Sequence, residues 1–191
     1  MKVFFTASYK SRELYSKHYK KIYDSIAAYG YVHLNEDIVS VTTKQFYDSA
    51  EYGGRDAMVE FYNENIKKMQ EADINIFEIS VHSYGVGFLI QKSLEYNKPT
   101  IVFHLSDSPP YFLMGLKDEK LIIKSYTDKT IKKVVQDTLN AAREKRDKRF
   151  NFFISPKLLV YLENTSKGLG VTKSKFIRNL ILEHMRQNVR D

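Results

Sequence analysis

The sequence predicts an α/β protein, a doubly wound parallel sheet joined to a small C-terminal module, and three observations carry that prediction. Apolar runs of strand length alternate with longer stretches at helical spacing from Met1 to about residue 140. Ile74, Ile76, Phe77 and Ile79 form a short apolar run between polar boundaries, as a strand buried on both faces of a parallel sheet must. Positive charge is confined to one end: residues 141–191 hold twelve Lys and Arg against five Asp and Glu, whereas residues 1–140 hold eighteen of each, so the net charge of +7 belongs to the last quarter. A neutral domain is thus joined to a basic one, and a basic tail points to nucleic acid first and an anionic membrane second.

Length and composition set the outer bounds. A chain of 191 residues that is 43% hydrophobic can bury one good core and carry a small appended module. Every apolar run falls short of the ~18 residues of a membrane span, and Met1 leads into a strand-like segment rather than a signal sequence, so we expect a cytoplasmic protein without a membrane partner. With no cysteine, disulfides, thiolate metal sites and a Cys nucleophile are excluded.

Met1 to Ser8 reads as the first strand, apolar at Val3, Phe4 and Phe5 and ending in small residues. Tyr15, Tyr19, Ile22, Tyr23 and Ile26 then recur at helical spacing, with Gly30 suited to the C′ position. Tyr31 to Leu34 is a short second strand. The polar segment from Asn35 to Arg55, with Gly53-Gly54, is expected to be an irregular loop or a mobile lid. Asp56 to Glu71 places Met58, Phe61, Tyr62, Ile66 and Met69 on one side of a helix that leads into the Ala72–Ile79 strand.

After that strand Ser83, Gly85 and Gly87 read as a small-residue loop, followed by a helix from Phe88 to Tyr96. Backbone N–H groups at such a turn, with the positive end of the helix dipole, make a cradle for phosphate or carboxylate. Lys98-Pro99 ends the helix, Thr100 to Leu105 is a further buried strand, and Ser108-Pro109-Pro110 is a turn. A short strand at Leu121 to Lys124 and a helix from Thr130 to about Lys148 complete the unit, the helix losing its apolar face after Ala142. The class is therefore a doubly wound parallel sheet of the Rossmann-like, flavodoxin-like kind, whose ligands bind at the carboxyl ends of strands; Ser8 and Ser83 both sit at such ends. The expected organisation is a domain over 1–140, a helical connector over 141–148 and a module over 149–191.

The last module changes style. Arg149 to Ser155 alternates, with Phe150, Phe152 and Ile154 on one face and Arg149, Asn151 and Phe153 on the other. Pro156 opens a helix that carries Leu158, Leu159 and Leu162 inward, Gly168 and Gly170 break it, and Thr172 caps a second helix with Phe176, Ile177, Leu180, Ile181 and Met185 as its stripe. One strand and two helices cannot bury their apolar faces alone, which calls for a partner copy. Over Arg149 to about Gln187 the chain closely resembles the ribbon-helix-helix DNA-binding domains. The resemblance implies a homodimer or higher homo-oligomer whose paired strands enter the major groove of double-stranded DNA, with Arg149, Asn151 and Phe153 facing the bases and Lys173 and Ser174 holding phosphate. Phe153 departs from the usual polar reader.

Over Met1 to Leu139 the chain resembles the nucleoside 2-deoxyribosyltransferases, and among them the 2′-deoxynucleoside 5′-phosphate N-hydrolases. The matching pieces are the opening strand ending TASYK, the strand ADINIFEIS, the loop SYGVG, and EYNKPTIVF after the next helix. The resemblance implies a nucleotide or nucleoside-like ligand held by Ser8, Lys10, Ser83, Gly85 and Gly87. It also implies three catalytic positions, and here the chain departs from the family. The nucleophilic carboxylate, two residues past the last loop glycine, is Leu89; the carboxylate eight residues before Asp73 is Asn65, kept as a ligand contact; the first-strand tyrosine is Phe4. Leucine offers no lone pair and asparagine supplies no proton at neutral pH. Glu60, Glu64, Glu78 and Glu95 are the candidates to substitute, Glu78 reading best as a structural acceptor. The five histidines show no metal spacing, and neither metal nor cofactor is expected.

The expected function is a DNA-binding transcription regulator with a nucleotide-sensing domain that is a pseudoenzyme. The alternative is an N-glycosidase or deoxyribosyltransferase acting on nucleosides or nucleoside 5′-monophosphates, its basic tail serving assembly. A defence or toxin-antitoxin component built from the same parts is a third reading.

Overall fold

The computed structural model describes residues 1–146 and 152–188, and the chain forms two compact units, Met1–Asp147 and Lys148–Asp191. In the first, five parallel strands lie in the order β2-β1-β3-β4-β5: β1 (Lys2–Ala7), β2 (Val32–His33), β3 (Ile74–Glu78), β4 (Thr100–Leu105) and β5 (Leu121–Tyr126). Each strand after β1 is reached through helical segments, the crossover connection that parallel pairing requires. The chain moves outward from β1 to β2 and then back across to β3, so the switch in winding falls between β1 and β3. This is the doubly wound α/β architecture that the alternation of elements predicts.

Parity along the strands explains the two layers. Val3, Phe5, Ile74, Ile76, Ile101 and Phe103 pack on one face against Tyr19, Ile22 and Ile26 of α1 (Arg12–Ala28) and Ile131, Val135 and Leu139 of α6 (Ile131–Glu144). Phe4, Phe77 and Val102 pack on the other face, against Met69 near the end of α3 (Thr43–Glu71) and Val86 and Ile90 of α4 (Tyr84–Glu95). All five residues of β3 are buried, including Asn75 and Glu78, as expected of the middle strand of a sheet covered on both sides. Asn75 is accommodated by donating to the Met69 carbonyl at 3.3 Å and to Ser93 Oγ at 2.9 Å.

Five sequence-based expectations need correction. The segment from Asn35 to Arg55 is helical rather than an irregular loop: a short helix, α2 (Asp37–Ser40), precedes α3, which starts at Thr43 rather than Asp56. A capping box starts it, Thr42 Oγ1 accepting from the Gln45 amide at 3.2 Å while Gln45 Oε1 accepts from the Thr42 amide at 2.9 Å. Gly85 and Gly87 are not in a loop, since α4 begins at Tyr84 with Ser83 as its N-cap. The segment after β4 holds a further short helix, α5 (Tyr111–Met114), where only a turn is legible. At the far end β5 continues two residues past Lys124, and α6 ends at Glu144 with Ala142 fully buried.

In the second unit α7 (Pro156–Gly168) has Ser155 as N-cap, accepting from the Leu158 amide at 3.4 Å, with Pro156 in the first turn. Gly170 follows the helix at φ 64°, a left-handed turn that suits glycine. Thr172 Oγ1 then accepts from the Lys175 amide at 3.2 Å at the start of α8 (Lys173–Asn188). Residues 152–155 carry no strand in the single chain. Of the three leucines read as inward, Leu162 is buried, whereas Leu158 and Leu159 are exposed, as are Leu180, Ile181 and Met185 of α8. Among the described residues no helix is long and apolar enough to cross a membrane.

Candidate functional site

The carboxyl edge of the sheet carries two different environments. The first is a cleft of about 930 Å³ between the start of α4 and the segment that follows β4. Ser83, Tyr84, Gly87, Phe88 and Gln91 form one wall, a single face of α4, and Pro110, Phe112, Leu113 and Leu116 form the other. Ile79, His82, Ile90 and Gly115 complete its lining, which among the described residues includes no lysine or arginine. Ser83 Oγ accepts from the Val86 amide at 3.4 Å and its carbonyl from the Gly87 amide at 3.0 Å. The earlier amides of Tyr84 and Gly85 have no intrahelical acceptor, as in any first turn, and the helix dipole adds partial positive charge there. A Cβ on Gly87 would meet nothing within 4 Å, so that position opens onto free space. Aromatic walls with a few polar groups at one end are suited to a flat, amphipathic small molecule.

The second environment lies where β1 and β3 end side by side, Ala7 opposite Glu78. Glu78 is wholly buried. Its Oε1 accepts from the Ser80 hydroxyl, from the Ser80 amide at 3.2 Å and from the Tyr126 hydroxyl at 2.9 Å, while its Oε2 has no partner. Burial pushes this carboxyl above the ordinary glutamate range, the bonds from Ser80 and Tyr126 and the nearby Tyr19 hydroxyl opposing that rise without cancelling it. Burial also raises the Tyr126 and Tyr19 hydroxyls, reinforced by the charge of Glu78. Tyr19 OH lies 3.0 Å from Ser11 Oγ, which donates to the Ser8 carbonyl at 3.1 Å. The cluster therefore runs from β1 through α1 and β3 to β5, with every member at a strand end or on a helix facing it.

Of the six ligand positions expected from the sequence, Ser83 and Gly87 line the cleft and Gly85 lies in the same helical turn. Ser8, Lys10 and Asn65 are elsewhere: Ser8 is buried beside the Glu78 cluster, Lys10 is exposed, and Asn65 is buried with its Nδ2 donating to the Phe61 carbonyl at 2.7 Å. The positions where the resemblance calls for catalytic groups hold packed side chains instead. Phe4 is fully buried in the apolar cluster of the α3/α4 face, and Leu89 packs against the same cluster. Glu60, Glu64 and Glu95 are exposed on α3 and α4, Glu64 within 3.7 Å of Lys68 and Glu95 bonded to Lys92 at 2.7 Å.

In the second unit Arg149 and Asn151 lie outside the described residues, and Phe153 is fully exposed. Lys173 and Ser174 are exposed in the first turn of α8, and Lys173 Nζ bonds Glu163 Oε1 at 2.7 Å, so a phosphate would have to compete with that carboxylate. Sequence reasoning missed the second wall of the cleft. Its one signal is the apolar stretch Tyr111 to Met114 directly after Pro109-Pro110, in a segment with no periodicity to place it.

No protein-family profile matches the chain and no curated protein does. Among solved structures, the chain is similar to a CMP N-glycosidase of Clostridium botulinum, BcmB, at 16% identity over 74% of this chain and 98% of that one, with a TM-score of 0.49.

Proposed function

We propose that the protein is a DNA-binding regulator whose first unit takes up a nucleotide or nucleoside-like molecule without cleaving it. The observation that carries the silent half is the packing at the three family positions. Phe4 is buried in the apolar cluster and Leu89 packs against it, and the Asn65 amide is committed to a backbone carbonyl. An N-glycosidase needs a carboxylate beside the anomeric carbon, and none of these three residue types provides one. Ligand binding rests on the aromatic cleft at the start of α4, where Ser83 and Gly87 present the helix terminus. The DNA-binding half rests on the order of cap, proline, glycine break and second cap in the last unit, on its excess of Lys and Arg, and on the exposed Leu180, Ile181 and Met185, which a second copy would cover. The ligand alters operator affinity by binding two states of the dimer unequally.

Two measurements test this. Fluorescence anisotropy with labelled duplexes should show binding that weakens with salt and is lost in Arg149→Ala with Asn151→Ala. Chromatography of deoxynucleoside monophosphates incubated with the protein should show no free base. One observation favours the glycosidase alternative: Glu78, at the carboxyl end of β3, has an unpartnered oxygen and an upward-shifted carboxyl. Base release at an enzyme-like rate, abolished in Glu78→Gln, would establish that reading and refute ours.

A further inference from the structure

The strand order puts the natural ligand crevice at the carboxyl ends of β1 and β3, and there the chain lays its own aromatic ring. Tyr9 follows β1 directly and stacks on Phe46 of α3, with centroids 4.1 Å apart and planes 7° from parallel. Phe61 stands edge-on to both, at 6.1 Å from Tyr9 and 5.3 Å from Phe46. Thr43 Oγ1 donates to the Tyr9 carbonyl at 2.8 Å, and Arg12 grips the Ile38 and Val39 carbonyls at 3.0 and 2.6 Å just before α3 starts. Next to Tyr9 lie Ser8 and Ser11, buried, and beyond them the Tyr19–Glu78–Tyr126 cluster with its unpartnered carboxyl oxygen. A fully buried acceptor without a donor is rare in folded proteins and is what a ligand or solvent donor would satisfy once admitted.

The element carrying Phe46 is not continuous with the rest of its helix. Gly54, in the middle of α3, has φ 58° and ψ −147°, a backbone open to glycine and strained for any other residue. Thr43–Gly53 is thus a separate arm joined to the second half of α3 by two consecutive glycines. The arm has no fully buried residue, and besides its capping box it is held by Phe46, which stacks on Tyr9 and packs at the edge of the core, and by the Thr43 bond. A stacked aromatic pair contributes about 0.5–1.5 kcal/mol beyond its buried area, which places such an arm at the low end of local stability.

We propose that Thr43–Gly53 is a hinged arm gating the polar cluster at the ends of β1 and β3, with Phe46 on Tyr9 as its latch and Gly53-Gly54 as its hinge. The structure is the closed state. Opening lifts Phe46 from Tyr9 and admits solvent or ligand to Ser8 and the hydroxyls behind it, while the sheet stays folded. The gate does not depend on the cleft being a ligand site or on DNA binding, and it is tested on the free protein.

The absence of cysteine makes a clean reporter possible. Ser8→Cys, near-isosteric and buried, is reacted with 5,5′-dithiobis(2-nitrobenzoate) in the full chain, and Val102→Cys in the centre of β4, with 0% exposure, reports global opening. We expect Ser8→Cys to react roughly tenfold faster than Val102→Cys, and Phe46→Ala to speed the former about fivefold or more without changing the latter. Phe46→Leu, which keeps apolar area and loses the stack, should give the same pattern with a smaller step. Equal reaction rates for the two thiols, or equal acceleration of both by Phe46→Leu, would overturn the gate.

Discussion

The two environments at the carboxyl edge invert the usual relation between polarity and exposure. At the ends of β1 and β3, hydroxyls and a carboxyl are sealed from solvent; at the start of α4, aromatic and aliphatic side chains stand open. Glu78 is fully buried, whereas Phe112 and Tyr84 are fully exposed. A polar group is buried at a cost unless it is bonded, so the inner cluster must be specified by its partners. The outer surface obeys no such demand at Tyr84 and Phe112, whose rings stand fully exposed, although Ile79, Ile90 and Leu113 beneath them belong to the packed layer. The difference teaches that the inner cluster is specified by its bonds, whereas the exposed rings of the cleft can be changed at little cost to the fold. Substitutions separate the two roles by their different readouts.

The largest effect is expected at Phe4, between these environments in the packed layer of the α3/α4 face. Phe4→Ala removes a fully buried ring and should cost about 3–5 kcal/mol in urea unfolding. Phe4→Tyr restores the hydroxyl of the resembled family. In an active-site setting that hydroxyl would be tolerated; in a dry cluster it has no partner and should cost about 1–3 kcal/mol. A Phe4→Tyr chain as stable as the parent would show that a polar partner is within reach and would weaken the silent reading.

The second effect concerns pH. The Glu78 carboxyl is raised in the folded chain above its ordinary value of 4.5, so the folded state holds its proton where the unfolded state has lost it. The stability associated with Glu78 is fully present below pH 4.5 and is lost as pH rises through the elevated folded value. Urea midpoints measured at stepped pH should therefore fall across that window relative to Glu78→Gln, which keeps the shape and cannot ionise. A parent and a Glu78→Gln chain with parallel pH profiles would mean the carboxyl is better solvated than its burial implies.

How much of this was legible before the structure differs sharply between elements. The β3 strand is readable because both its faces are buried and its polar boundaries are local. The split of charge at residue 141 is equally plain, being a property of composition. The first half of α3 is hidden for a physical reason: its stripe is too sparse to read, and it is held by a side-chain cap and by contacts to Tyr9, which is 34 residues away from Thr43. Gly85 and Gly87 read as a loop because glycine is a poor helix former, and the Ser83 cap prevails over that preference. The cleft needs a second wall from Pro110 to Leu116, which has no period of its own and is placed by tertiary packing.

A smaller effect follows from the capping box. Thr42→Ala removes the acceptor for the Gln45 amide and should lower stability by about 1 kcal/mol, most visibly as faster amide exchange in residues 43–53. Exchange that rises equally in residues 57–69 would mean that α3 opens as one helix across Gly54.

The smallest effect on stability and the clearest on binding should come from Phe112→Ala. The ring is fully exposed, so its removal should change the urea midpoint by no more than about 0.5 kcal/mol. It nonetheless stands in the cleft wall opposite Phe88, where an aromatic ligand would stack. Stacking of a base on an aromatic side chain contributes about 1–3 kcal/mol, so affinity for 2′-deoxyadenosine 5′-monophosphate in calorimetric titration should fall at least about fivefold. Phe4→Tyr should not produce this loss, because its ring is sealed inside the apolar layer rather than in the cleft wall. Unchanged affinity in Phe112→Ala would remove the cleft as the ligand site and leave the crevice beneath the Phe46 arm as the place to look.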